Sequence, residues 1–250
     1  MIKILPVFIT IFSFLFSSCK ETNQRLEYAL AFAGDNRSEL EKVLTYYKDD
    51  SLKLKACCFL IENMPRYFSY TGYVLDSIKA IKASVDKEGK LPDEKVNPLK
   101  GFTYNHLPKI YDAHVITADY LIENIELAFE EWEKRPWNKY VSFDEFCELI
   151  LPYRIDNEPL ENWRSIYREK FSFLLDSVYT GSDVIKASNV IGQHLRDEKF
   201  IFNRNLNLPH LGAQFLLKHR VGKCIDSCDF LVYVLRSLGI PVAVDELPFS

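Results

Sequence analysis

Several common catalytic signatures are missing from the sequence, and each absence closes a class of function. No GxxxxGK[ST] run occurs, so no P-loop is in place to cradle a nucleoside triphosphate. A glycine-rich dinucleotide loop and an HExxH pair are missing as well. None of the usual cofactor motifs is left, and no cofactor is expected. Positive charge is not in surplus: 31 Lys and Arg stand against 35 Asp and Glu, for a net charge of −4. The chain therefore lacks the electrostatic footprint of a nucleic-acid-binding protein. No internal repeat stands out, which argues against a solenoid. What is present is 250 residues that are 48% hydrophobic and 14% aromatic, enough for a sizeable core in one or two domains.

The first residues read as a targeting segment. Lys3 supplies a positive start, and Ile4 to Phe16 is an apolar run too short for a comfortable membrane span. Phe16-Ser17-Ser18-Cys19 then puts small residues before a cysteine. This resembles a bacterial lipoprotein box. The resemblance implies a signal peptide over residues 1–18, cleavage before Cys19 and lipidation of that thiol. The mature chain would then be lipid-anchored in the cell envelope, at the outer membrane or facing the periplasm. An ordinary signal peptide, or an uncleaved anchor, is the other reading.

Residues 20–34 read as a tether running into a first helix. Asp35 to Glu41 looks like a helix start, with Leu40, Val43 and Leu44 as the apolar stripe. Ser51 opens a second helix that Met64-Pro65 ends; Cys57 and Cys58 inside it read as small core residues. Another helix is predicted over residues 71–87, then a polar turn region from Gly89 to Pro98. The longest helical pattern spans Asp112 to Lys134, where Leu121, Ile122, Ile125, Phe129 and Trp132 recur at threes and fours. Ser142 with Glu145 forms a capping box for a short helix ending before Pro152. Trp163 to Tyr179 and Ser182 to Phe200 read as two more helices, with Ser182 as a cap. Asn203 to Pro209 is a polar loop, and Leu211 to His219 a short helix. Glu145 and Glu148 share a helix face, and Arg154 and Arg164 suit bidentate pairing with a carboxylate. Such networks are more often structural than catalytic. On either reading Trp137, Glu148, Arg154, Trp163 and Arg164 line or support a cleft.

The densest chemistry lies after residue 219. Gly222 suits a sharp turn, and Cys224 follows it. From Asp226 onward Phe230, Leu231, Val234, Leu235 and Leu238 recur at helical spacing. Gly239 and Pro241 stop the helix, and Ile240 to Val244 is apolar and β-branched, so it reads as a buried strand. A cysteine in a first turn lies near unpaired N–H groups and the positive end of the helix dipole, which favour the nucleophilic thiolate. The bland alternative is an inert buried thiol. Cys228 shares that helix face and reads as core packing. A disulfide within one turn would need distorted geometry. The spacing also lacks the second ligand pair of a metal site, so no metal is assigned. His219 reads as a residue flanking the cleft, while His106, His114, His194 and His210 stay unassigned.

The run Gly222-Lys223-Cys224, with Leu235-Arg236-Ser237-Leu238-Gly239-Ile240-Pro241-Val242 after it, resembles the core motif of the transglutaminase-like superfamily. That motif is a G-x-C nucleophile, a helix, and an L-R-x-x-G-I-P turn into the first strand. The resemblance implies a papain-like α+β fold and a Cys-His-Asp triad with Cys224 as nucleophile. The implied reaction is acyl transfer or hydrolysis at an amide. In the family the triad His and Asp follow the Ile-Pro strand. Here the sequence stops at Ser250 and no residue can be carried over as either, so the chain as given is expected to be truncated, inactive and short of neighbours for that strand. The segments Trp132 to Trp137, Phe146 to Arg154 and Trp163-Arg164 are similar to the region ahead of the core in envelope lipoproteins of Gram-negative anaerobes.

The expected fold is mostly α with a partial α+β C-terminal core. A helical region over residues 19–180 precedes the first part of a transglutaminase-like, papain-like domain over residues 181–250. The other reading is a non-catalytic envelope lipoprotein that binds a glycan or protein and carries a vestigial cysteine. The expected partners are the membrane, through the anchor at Cys19, and a protein, peptide or glycan; nucleic acid is not among them.

Overall fold

The computed structural model describes residues 24–245. The expected signal peptide and Cys19 box lie outside the described residues, so the lipidation reading is carried by the sequence alone. No helix among the described residues is long and apolar enough to cross a membrane.

The chain is mostly helical, as its periodicity predicts. Where a tether is expected, residues 24–32 form helix α1, because Ala29, Leu30 and Ala33 all find buried positions. Helix α2 (Arg37–Tyr46) buries Leu40 and Val43. Helix α3 (Ser51–Asn63) is capped by Asp50, whose side chain accepts from the backbone of Leu52 and Lys53. Cys57 is buried in it, as expected, and Cys58 is partly exposed. Strand β1 (Phe68–Tyr70) precedes helix α4 (Tyr73–Ala83) and the single turn α5 (Asp93–Val96). Strand β2 (Lys109–Tyr111) returns antiparallel to β1, with Phe68 opposite Tyr111.

Helix α6 (Ala118–Lys134) is the longest helix the sequence led us to expect, but it starts later than Asp112. Residues Asp112–His114 form a separate tight turn, and the Thr117 side chain provides the cap. Helix α7 (Phe143–Leu149) has the Ser142–Glu145 capping box. The helix expected over Trp163 to Tyr179 is split into α8 (Arg164–Phe171) and a wide π turn at Leu174–Val178. Helix α9 (Val184–Asp197) is capped by Asp183, not Ser182. Strand β3 (Ile201–Phe202), helix α10 (Ala213–His219), strand β4 (Val221–Gly222) and helix α11 (Cys224–Ser237) complete the order. Strands β3 and β4 pair in parallel.

The strand expected at Ile240 to Val244 does not form: residues 240–245 are irregular. β-Branched residues favour a strand only where a ladder awaits them, and no described strand runs beside this segment. It is held by hydrogen bonds from the Val242 N–H to the Leu149 carbonyl at 3.3 Å and from the Ile240 N–H to the Leu235 carbonyl at 3.0 Å, and by burial of Ile240 in the core. Gly239 is the stop that was expected. It has φ +70, and a Cβ there would lie 2.7 Å from the Glu131 carbonyl oxygen.

Buried side chains form two clusters. One joins α1, α2, α3, α6 and α7, around Leu40, Ile61, Ile125, Phe129 and Phe146. The other joins α4, α8, α9, α10 and α11, around Ile78, Tyr167, Phe171, Phe230 and Tyr233. Arg164 bridges them. Its guanidinium, nearly all buried, donates to Asn124 Oδ1 on α6 at 2.9 Å, to the Arg236 carbonyl on α11 at 2.9 Å and to the Ile150 carbonyl at 3.0 Å. Burial, helped by nearby Arg236, pulls its pKa down to about 9.

Candidate functional site

The N-terminus of α11 is built by two residues in concert. Lys223 is extended, and its backbone N–H donates to Asp226 Oδ2 at 2.7 Å. Asp226 thereby satisfies one donor at the helix start. Gly222 is needed for a different reason from the turn the sequence suggests. It lies in β4 without a left-handed backbone, and a Cβ there would stand 2.5 Å from Asp226 Cβ and 2.6 Å from its Oδ2. Glycine is present because the capping carboxylate packs directly against its backbone. Burial raises the Asp226 pKa, and the Lys223 N–H works against that.

This clamp holds Cys224 as the first residue of a 14-residue helix, with its thiol exposed. The N–H groups of Cys224 and Ile225 have no acceptor within the helix, because the ladder begins with Ser227 N–H to the Lys223 carbonyl at 3.2 Å. Cys228 corrects the reading from spacing. It is exposed, not packed in the core, because a residue four along lies only about 40° round the helix from Cys224 and shares its solvent face. Burial, then Asp229 and Cys224, push the Cys228 thiol up.

The imidazole nearest in kind to a triad histidine is one the sequence left without a role. His210 Nδ1 lies 2.6 Å from Asp229 Oδ2, and its Nε2 lies 3.1 Å from Asp156 Oδ2. Asp229 is buried and its other oxygen has no partner. Burial opposes charge on His210, yet the hydrogen bonds to Asp156 and Asp229 outweigh it and raise its pKa to about 11. Burial raises Asp229 to about 6 against the pull of His210. Asp229 is five residues beyond Cys224, about 140° round the helix. The charged pair thus sits on the buried side of α11 and the thiol on the exposed side. With both ring nitrogens engaged, His210 is a clamp and not a base for Cys224. Among the described residues no imidazole is hydrogen-bonded to that thiol.

The remaining sequence candidates are placed as supports. Trp137 is buried and donates from Nε1 to the Gly239 carbonyl at 2.8 Å. Trp163 is buried and donates to the Tyr153 carbonyl at 2.9 Å. Arg154 meets a carboxylate bidentately, that of Asp112 on the turn after β2. Arg164 does not; its partners are the neutral oxygens already described. Glu148 is exposed on α7 and takes no part in this arrangement. His219 is half-buried, its ring 4.7 Å from that of Phe215. Burial and the charge of Lys218 hold its pKa below the usual value.

Asp229 had a signal that was there to be read. It is a carboxylate inside the apolar stripe, next to Phe230 and one turn before Tyr233, where a charge needs a buried partner. Among the described residues no three His, Cys, Asp or Glu side chains converge as metal ligands do. No protein-family model, no curated protein and no solved structure matches this chain.

Proposed function

We propose that Cys224 is the attacking thiol of a transglutaminase-like acyl-transfer site, carried by a chain tethered to the cell envelope through Cys19. The observation that supports this best is the exposed thiol on the first residue of α11, at a helix start fixed by the Asp226 cap and the Gly222 contact. In this reading the thiolate sulfur bonds to an amide carbonyl carbon, and the C–N bond breaks. The amine leaves with a proton, and water or a second amine then takes the acyl group from the thioester. The N–H groups of Cys224 and Ile225 lie where they could hold the oxyanion. His210, held on both ring nitrogens, is not free to be the base for Cys224.

The test is acyl trapping. The purified chain is incubated with an activated acyl ester and its intact mass and modified peptide are read. One acyl group on Cys224, absent from Cys224→Ser, supports the proposal; no adduct, or one on Cys228 instead, overturns it. A second reading is favoured by the state of His210: with that imidazole locked between two carboxylates, the chain would be a binding lipoprotein whose cysteine is vestigial. Failure of acyl trapping leaves that reading in place.

A further inference from the structure

On the flank of α11 adjoining the thiol face, a cavity of about 970 Å³ opens between α9, β3 and the turn at residues 87–89. A space of this size falls in the range of ligand pockets. Its walls are apolar: Leu195, Phe200, Phe230 and Leu231, with Phe202 standing 61% exposed at the edge.

The rim is cationic. Lys87, Arg196, Lys199 and Arg220 line it, against Glu88 and Glu198. Arg220 uses up Glu198, to which it donates at 2.6 Å while lying 4.0 Å over the Phe230 ring. Arg196 donates only to the neutral amide of Gln193. The balance left over is positive. Two helix ends meet at the same place. Among the described residues, Lys199 (φ 54) and Arg220 (φ 50) are the non-glycine residues with a left-handed backbone, and both line this cavity. Arg220 is the left-handed cap that ends α10, and Lys199 follows the cap of α9, so both are helix stops that turn the chain along the cavity wall. Gly89 approaches the Phe202 carbonyl so closely that a Cβ would lie 2.6 Å from it, which shapes the mouth.

We propose that this cavity binds a small amphipathic anion, with an aliphatic chain against Phe200, Phe230 and Leu231 and a carboxylate or phosphate head against Arg196 and Lys199. The wall offers an alkyl chain what it needs and little hydrogen bonding. The rim offers the charge-assisted bonds that orient an anionic head. A free fatty acid and an anionic acyl lipid share this chemistry. The site stands whether or not Cys224 reacts.

The test is calorimetric titration of the purified chain with dodecanoate, dodecyl phosphate and dodecanol, each below its aggregation limit. Both anions bind, and dodecanol binds at least about tenfold more weakly. The double variant Arg196→Gln/Lys199→Gln, at exposed positions where folding is unaffected, weakens the anions by about tenfold and leaves dodecanol unchanged. Cys224→Ser binds as the parent does. Pelleting with phosphatidylglycerol vesicles but not phosphatidylcholine vesicles identifies an anionic lipid as the source; no pelleting identifies the free acid. No heat with either anion, dodecanol as tight as dodecanoate, or anion affinity unchanged in the double variant overturns the proposal.

Discussion

Removing one partner of the Arg154–Asp112 pair should damage this protein far more than removing both. The two side chains are each about 1% exposed and meet bidentately, one of the bonds being Nε to Oδ2 at 2.5 Å. They tie the turn after β2 to the loop between α7 and α8. Asp112→Asn keeps the shape and removes the charge, stranding a guanidinium whose Nη1 already has no partner. Breaking a buried pair in this way costs about 3–5 kcal/mol. For a chain of this size that lowers Tm by roughly 6–20 °C. The double variant Asp112→Leu/Arg154→Met strands neither member of the pair, the nearby buried Glu158 keeping its hydrogen bonds from the Ile155 and Asp156 N–H groups, and should lose about 0–2 kcal/mol. Urea unfolding of Asp112→Leu, Arg154→Met and the double variant that combines them gives the coupling directly. A loss below about 1 kcal/mol in Asp112→Asn, or a double variant whose loss equals the sum of the singles, would refute the reasoning.

Further outcomes follow from the α11 region. Gly222→Ala must push Asp226 off the helix start. It should cost about 1–3 kcal/mol and speed amide exchange at residues 224–227; unchanged stability and exchange would show that the contact is not needed. His210 holds its proton more tightly folded, to about pH 11, than in the unfolded chain, near pH 6.5. Its contribution is therefore complete below pH 6.5 and is lost as pH rises toward 11, at about 1.4 kcal/mol per pH unit. His210→Gln should flatten that part of the stability curve, and a parallel curve would contradict the clamp.

What could be read in the sequence is what depends on local pattern. Helices α6 and α11 announce themselves by apolar residues at threes and fours, α7 by its capping box, and the end of α11 by Gly239. Strands β1 to β4 escape because each is only two or three residues long, too short to show alternation. Ile240 to Val244 misleads in the opposite way, since its β-branched composition expresses a propensity that only a neighbouring strand can realise. Cys228 reads as core packing once a disulfide and a metal site are set aside, although its angle on the helix, close to that of the exposed Cys224, carries it outward. Arg164 could not be resolved at all: its partners are mainly backbone carbonyls, brought within reach only by the tertiary fold. His210 and Asp229 are 19 residues apart, and only the buried position of Asp229 hinted at their union.

An acyl-transfer role for Cys224 requires that the thiol at the start of α11 be the reactive one. Iodoacetamide labelling near neutral pH, with the rate read separately at each cysteine by mass spectrometry, addresses that most directly. Cys224 is predicted to label at least about tenfold faster than Cys228, whose thiol is pushed up by burial and by Asp229. Equal rates, or Cys228 ahead of Cys224, would contradict the assignment of Cys224 as the nucleophile.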